Sequence, residues 1–187
     1  MKALPLLLGL AVAALPPVLP AAAAGPATSA GVLAAQVEWL GHLPRFVQWP
    51  ETAFESPEAP FRLCLVGGDP FGPRLEPLRG RRFGGRPLAI EQPRTADQLA
   101  RCQLAYFDRE AAPDLLAAAQ DGRLPTLLGV AGDSGFVRQG GMLALVGEGS
   151  EVRLHVNLGR VRASRLHFSA KLLELARVEP APAHGSG

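Results

Sequence analysis

The stretch FRLCLVGGDPFG, residues 61–72, decides the fold because a short apolar run passes directly into a glycine turn. The run over residues 61–66 predicts a buried strand, and Gly67 and Gly68 bound it. A short helix is expected over residues 70–78, where Gly80 would end it. A strand that turns into a helix is the repeating unit of an α/β sheet.

The same alternation continues on both sides of this stretch. An amphipathic helix is predicted over residues 32–49, with an interruption at Pro44 and an end at the Trp-Pro pair. Three further strands are expected at residues 87–91, 102–107 and 124–130, with helices at 96–101 and 113–120. This alternation predicts a mostly parallel sheet covered by helices on both faces, a three-layer α/β fold. A common strand order in such sheets is 2-1-3-4-5. In that order the first predicted strand, residues 61–66, and the third, residues 102–107, would be neighbours.

The pattern changes near the C-terminus. Two apolar runs, residues 141–147 and 152–157, flank the sequence GEGS, which predicts an antiparallel hairpin. Polar and apolar residues alternate in the second run, so we expect an edge strand with one solvated face and His155 pointing into water. A helix over residues 169–177 is expected to close the fold.

Composition and the N-terminal sequence indicate one exported domain. Of the 187 residues, 48% are apolar, which is enough to form a hydrophobic core. The formal net charge of +2 is too small to suggest a nucleic-acid partner. Residues 1–24 have the layout of a signal peptide cleaved near Ala24, and prolines interrupt the apolar run that a membrane anchor would need. We therefore expect a flexible lead at 25–30, a single domain at 31–178 and a disordered tail at 179–187.

The two cysteines, Cys64 and Cys102, could in principle be a nucleophile, metal ligands or a disulfide. No general base is positioned in the sequence for a nucleophilic cysteine. The four histidines lack zinc-ligand spacing and lie far from both cysteines, so no metal or cofactor is expected. In an oxidising compartment two cysteines most simply form one bridge, which here would join the first and third strands.

Two short motifs allow a functional interpretation. Residues 67–69, Gly-Gly-Asp, lie where α/β sheets bind ligands, but no nucleotide fingerprint is present and a turn capped by Asp69 is favoured. Residues 132–136, GDSGF, are similar over four residues to the nucleophile loop of trypsin-like proteases. Those enzymes are all-β, so a loop turn is favoured and a hydrolase using Ser134 remains an alternative. A second alternative is a small-ligand binding protein. Its crevice would be lined by Gly67, Asp69, Phe71, Asp133 and Phe136.

Five segments, taken together, resemble the YfiR-like periplasmic proteins. They are RFVQWPE (45–51), FRLCLVGGDPFG (61–72), CQLAYFDR (102–109), DSGFVRQGGMLALVGEGSEVRLHVNL (133–158) and SRLHFSAKLLELARV (164–178). The most specific features are the W-P pair after an aromatic-rich helix, the pattern C-x-x-G-x-D-P-F and the ending F-x-x-x-G-G-M…N-L. The segments follow one another in order and are distributed over residues 45–178, most of the mature chain.

This resemblance implies a non-enzymatic periplasmic regulator. Such a protein would bind and repress the periplasmic domain of an inner-membrane diguanylate cyclase or sensor kinase, and so act on cyclic-di-GMP signalling and biofilm formation. The sequence does not decide whether the protein forms a homodimer. In the family, a disulfide between the matching cysteines recurs and can confer redox sensitivity. The second cysteine pair of the family's namesake is missing here, since the C-terminal strands carry Met142, Val146 and Val152 instead.

Three aromatic residues, Trp39, Phe46 and Trp49, are concentrated on one short segment. Tryptophan and other aromatic side chains often anchor protein interfaces. The alternative is that these three side chains simply cover the sheet. We expect them to contact the partner, and we expect Trp49, at the end of the helix, to be the most exposed.

Overall fold

The computed structural model describes residues 26–149 and 151–179. The strands are β1 (Val47–Gln48), β2 (Phe61–Val66), β3 (Arg82–Phe83), β4 (Arg86–Glu91), β5 (Leu104–Phe107), β6 (Leu128–Ala131), β7 (Leu143–Glu148), β8 (Glu151–Asn157), β9 (His167–Phe168) and β10 (Ala176–Glu179). The helices are α1 (Pro26–His42), α2 (Ala96–Leu99), α3 (Pro113–Gln120), α4 (Ser134–Arg138), α5 (Leu158–Ala163) and α6 (Ala170–Leu175). Short 3-10 helices occupy Leu43–Arg45, Glu51–Ala53 and Gly72–Leu78. The predicted signal peptide and residues 180–187 lie outside the described residues.

Eight strands form one mixed sheet in the order β10-β8-β7-β6-β5-β2-β4-β3. The five strands β7, β6, β5, β2 and β4 are mutually parallel, β8 pairs antiparallel with β7, and β10 runs parallel to β8. The mostly parallel α/β sheet with a C-terminal hairpin is therefore confirmed. The central order also places β5 beside β2, as the 2-1-3-4-5 arrangement predicts.

Alternate residues of β2 enter two separate cores because successive side chains of a strand point to opposite faces. Leu63 and Leu65 join the core that contains Leu40 of α1. Cys64 and Val66 join the core that contains Leu115 of α3. The sheet is thus covered on both faces, which gives the three layers that the sequence predicts.

The first helix differs from the sequence-based expectation at its start. Helix α1 begins at Pro26, so residues 26–30 are helical where the sequence predicts a lead without regular structure. A proline fits the first turn of a helix because its missing N–H has no partner there in any case. The predicted interruption at Pro44 is confirmed, since α1 ends at His42 and Pro44 lies in a 3-10 helix. Beyond it, β1 pairs antiparallel with β9.

The C-terminal segment also differs. Helix α6 ends at Leu175, and residues 176–179, partly predicted as helix and tail, form β10 along β8. β8 is therefore an inner strand rather than an edge. His155 is only 6% exposed, and its Nδ1 lies 2.6 Å from Oε1 of Glu179. The prediction of a solvated His155 is wrong because β10 covers the strand that carries it.

Candidate functional site

A crevice opens at the carboxyl ends of the parallel strands, beside helix α1. Its volume is about 460 Å³. The polar part of its lining is Gln36, Tyr106, Asp108, Arg109 and Asp133; apolar contacts come from Val32, Leu33 and Pro70. The carboxyl end of an open α/β sheet is the usual place for a ligand. We call this cavity the carboxyl-end crevice.

Two buried polar side chains form the floor of the carboxyl-end crevice. Tyr106 of β5 is 4% exposed and Gln36 of α1 is 3% exposed. The side-chain amide of Gln36 donates to the Leu145 backbone carbonyl at 2.8 Å, and the Tyr106 hydroxyl donates to the side-chain Oε1 of Gln36 at 3.4 Å. Gly132 completes the floor: a Cβ added there would lie 2.6 Å from the Tyr106 hydroxyl. A side chain at this position would therefore clash with the floor of the crevice.

Three charged side chains of the crevice act on the Tyr106 hydroxyl. The pKa of Tyr106 is raised to about 12, mainly by burial and further by the negative charges of Asp108 and Asp133, while Arg109 acts in the opposite direction. Asp133 also caps α4, since its carboxylate accepts from the Gly135 N–H at 2.8 Å. Within residues 26–149 and 151–179, Asp108 and Arg109 form no salt bridge. The charges at the crevice are therefore not neutralised by direct pairing within this region.

The structure brings together only two of the five residues that the sequence assigns to a ligand crevice, because Asp133 and Phe136 both line a smaller cavity of about 170 Å³. Of these, Asp133 borders the carboxyl-end crevice. Phe71 is fully buried beside Tyr106, and Phe136 is 5% exposed and stacks on Phe107 in the second core. Gly67 has a φ of +96° and a Cβ there would lie 2.6 Å from the Ala111 nitrogen, so it serves a close backbone approach.

Asp69 acts as the cap of a turn. Its carboxylate accepts from the N–H groups of Phe71 and Gly72, both at 2.9 Å. The sequence reasoning missed Tyr106, Asp108 and Arg109. The position of Asp108 and Arg109 directly after a predicted parallel strand was a usable signal, because ligands bind beyond the carboxyl ends of such strands.

A second concave region lies at the start of β2, and it is aromatic. It has a volume of about 350 Å³ and is lined by Trp49, Phe54, Phe61, Phe83 and Arg86. The rings of Trp49 and Phe61 meet edge to face with centroids 4.9 Å apart. The Arg86 guanidinium lies 3.8 Å from the centre of the Phe54 ring. We call this region the aromatic cleft.

The aromatic cleft includes one of the three aromatic residues predicted to contact a partner. Trp49 lines it, partly buried, and the indole N–H donates to the Gln103 carbonyl at 3.1 Å. Trp39 and Phe46 are partly buried and pack against the main core. All three side chains therefore contribute to packing, and Trp49 also borders open space.

The two cysteines are bonded to each other in the structure. Cys64 lies in β2 and Cys102 just before β5, with Cα atoms 6.0 Å apart. Both are buried, at 0% and 2% exposure, in the core beneath α2 and α3. The bridge thus joins two adjacent central strands from inside the protein.

The GDSGF motif forms the start of a helix instead of the predicted loop turn. Ser134 is the first residue of α4, and its hydroxyl accepts from the Arg138 guanidinium at 2.6 Å. Among the described residues, no group of three or more His, Cys, Asp or Glu side chains could hold a metal ion. In the same part of the chain, helices are all too short or too polar to cross a bilayer.

The fold and its sites define a disulfide-bonded α/β protein with a crevice at one end of the sheet and an aromatic cleft at the other. A family model described as YfiR/HmsC-like matches residues 34–177. This match covers most of the 187 residues, so the chain belongs to the YfiR/HmsC-like family. A search of curated proteins finds no match.

Proposed function

We propose that this protein is a non-enzymatic periplasmic regulator that binds and represses the sensory domain of an inner-membrane diguanylate cyclase or sensor kinase. The membership in the YfiR/HmsC-like family carries this proposal. The buried Cys64–Cys102 bridge supports the periplasmic location, because disulfides persist in oxidising compartments.

The chemistry of the described side chains favours binding over catalysis. The best candidate nucleophile, Ser134, is hydrogen-bonded to an arginine, which cannot act as a general base. Both cysteines are held in the bridge. The buried His155 is paired with Glu179 near the C-terminal edge of the sheet, where neither concave region lies.

The aromatic cleft is our proposed docking surface for the membrane partner. Its walls carry Trp49 and Phe54, and aromatic side chains in a preformed concave surface can anchor an interface at low conformational cost. Gln48 and Glu51 are exposed at its rim, where a partner would replace water. Trp39 and Phe46 would then act by supporting the segment that presents Trp49.

A pull-down from detergent-solubilised inner membranes tests the proposed function. The mature protein as bait should recover a diguanylate cyclase or a sensor kinase, and deletion of the gene should raise cellular cyclic-di-GMP if that partner is a cyclase. Recovery of neither class, together with unchanged cyclic-di-GMP after deletion, would contradict the proposal.

A second candidate function is binding of a small ligand, and the carboxyl-end crevice favours it. A cavity of about 460 Å³ with an apolar wall and a few converging polar groups has the usual size and character of a small-molecule site. This function is compatible with the first, because a bound ligand could serve as the signal that the regulator senses.

A further inference from the structure

The carboxyl-end crevice has a negative charge balance. Asp108 and Asp133 supply two carboxylates, and Arg109 supplies one guanidinium. Tyr106 is neutral at neutral pH, since its ordinary pKa of 10.0 lies well above that pH and burial raises the pKa to about 12. The three ionised groups leave one net negative charge around the buried hydroxyl, which favours a cation over an anion.

The positions of these groups restrict the ligand further. Val32 and Leu33 of α1 and Pro70 line an apolar wall of the crevice. Arg109 is exposed at its mouth and would repel a second positive charge there. At the floor, the Tyr106 oxygen and the Gln36 carbonyl can accept hydrogen bonds from an ammonium group.

We propose that the carboxyl-end crevice binds a small primary monoamine with an apolar body. Its ammonium group lies between Asp108 and Asp133 and donates toward the Tyr106 hydroxyl, and its apolar body contacts Val32 and Leu33. Gly132 lets the backbone approach the floor of the crevice closely, since a Cβ there would lie 2.6 Å from the Tyr106 hydroxyl and 3.1 Å from the Gln36 amide nitrogen. This inference rests on the second candidate function and specifies its ligand class.

Titration calorimetry at low ionic strength on the mature chain tests the inference with three probes of similar shape. They are 2-phenylethylamine, the uncharged 2-phenylethanol and the anionic 3-phenylpropionate. We expect the amine to bind at least about tenfold more tightly than the other two, because an ammonium–carboxylate hydrogen bond is charge-assisted. Raising the salt concentration should weaken binding of the amine more than binding of the alcohol.

Variants locate the site. Asp108→Asn removes one carboxylate at nearly constant volume and should weaken the amine by about tenfold or more. Asp114→Asn is the matched control, because Asp114 is an exposed aspartate in the first turn of α3 and does not line the crevice. It should leave the affinity unchanged. Gly132→Ala should weaken both the amine and the alcohol because it occupies the floor.

The outcomes separate the ligand class from the candidate function. Equal or tighter binding of the alcohol or the anion overturns the amine proposal but leaves a small-ligand protein. Unchanged amine affinity in both Asp108→Asn and Gly132→Ala overturns the proposed location. Binding of none of the three probes overturns the inference and removes the support for the second candidate function. The partner pull-down is unaffected by each of these results.

Discussion

Tyr106 offers a direct measurement at the residue scale because it is the only tyrosine in the chain. Burial, aided by Asp108 and Asp133, raises its pKa from 10.0 to about 12. A folded-state pKa above the unfolded value means that this contribution to stability is complete below pH 10 and is lost as the pH rises toward 12. We expect tyrosinate ultraviolet absorbance to appear near pH 12 in the folded protein and near pH 10 in urea.

The Asp108→Asn variant tests the cause of that shift. It should move the folded-state midpoint downward, because the Asp108 charge raises the pKa, but most of the shift should remain since burial is the larger cause. A midpoint near 10 in wild-type protein that circular dichroism shows to be folded would contradict the buried position of the hydroxyl.

The pair formed by His155 and Glu179 gives a second prediction at this scale. The contact joins β8 to the C-terminal strand β10, and the other His155 ring nitrogen, Nε2, is buried without a partner among the described residues. Glu179→Ala leaves the whole imidazole buried and unpaired. We expect a loss of about 1–3 kcal/mol in the free energy of unfolding, measured with urea.

Glu174→Ala is the matched control for this substitution, because Glu174 is exposed in α6 and forms no salt bridge among the described residues. It should change the unfolding free energy by less than about 0.5 kcal/mol. Equal effects of the two substitutions would argue that the contact with His155 contributes nothing to the docking of β10.

At the element scale, the strand β2 and helix α3 were predictable to the residue, because an apolar run bounded by glycines and a proline-initiated alanine-rich helix have strong local signals. Strand β10 was not. Its four residues, Ala-Arg-Val-Glu, continue the helical pattern of α6 and become a strand only through pairing with β8. The error about His155 followed from this, since burial of an inner strand depends on a neighbour distant in sequence.

The candidate sites also combine residues that the local sequence reveals with residues whose role depends on contacts distant in sequence. Asp133 was predicted from the sequence, and Asp108, which also follows a parallel strand, could have been found by position alone. The contributions of Gln36 and Tyr106 depend on how α1 lies across the sheet, 70 residues apart in sequence. Helix α4 was missed because its five residues include a glycine and are too few to show a helical period.

The bridge between β2 and the start of β5 is the third prediction, and it concerns elements. It closes a loop with a sequence separation of 38 residues, so the double variant Cys64→Ala/Cys102→Ala should lose about 4 kcal/mol in the chain-entropy model. Urea unfolding of the oxidised wild type and the double variant measures the difference. A difference below about 1 kcal/mol would contradict a stabilising bridge.

Burial of the bridge also predicts its redox behaviour. Both sulfurs are shielded beneath α2 and α3, so a thiol reductant should cleave the bond slowly in native protein and quickly in urea. Thiol labelling followed by mass spectrometry measures both rates. Rapid cleavage in protein that stays folded would instead favour a redox switch.

At the scale of the whole molecule, the sheet separates two concave regions with different chemistry. The carboxyl-end crevice is polar and charged at its centre, whereas the aromatic cleft near the start of β2 is dominated by rings. A regulator that senses a small molecule and contacts a protein needs two such surfaces. The hydrogen-bonded sheet runs from one region to the other, and coupling would require that each site favour the same one of two states.

The final prediction tests which surface of the whole molecule contacts the membrane partner. Glu51→Arg places a long positive side chain at the rim of the aromatic cleft without disturbing the core, because Glu51 is exposed. We expect it to reduce recovery of the partner by at least about tenfold, since reversing a rim charge and crowding the cleft both oppose docking. If the partner is a cyclase, cellular cyclic-di-GMP should rise toward the level of the deletion strain.

Ala117→Arg is the matched control, because Ala117 is exposed on α3, which covers the opposite face of the sheet. Arginine is a good helix former, so the control should remain folded and should bind the partner like wild type. Both variants should show unchanged melting temperatures, which restricts the comparison to binding. Loss of partner binding in Ala117→Arg with retention in Glu51→Arg would move the interface to the α3 face, because only a surface in contact with the partner responds to an added side chain without a change in stability.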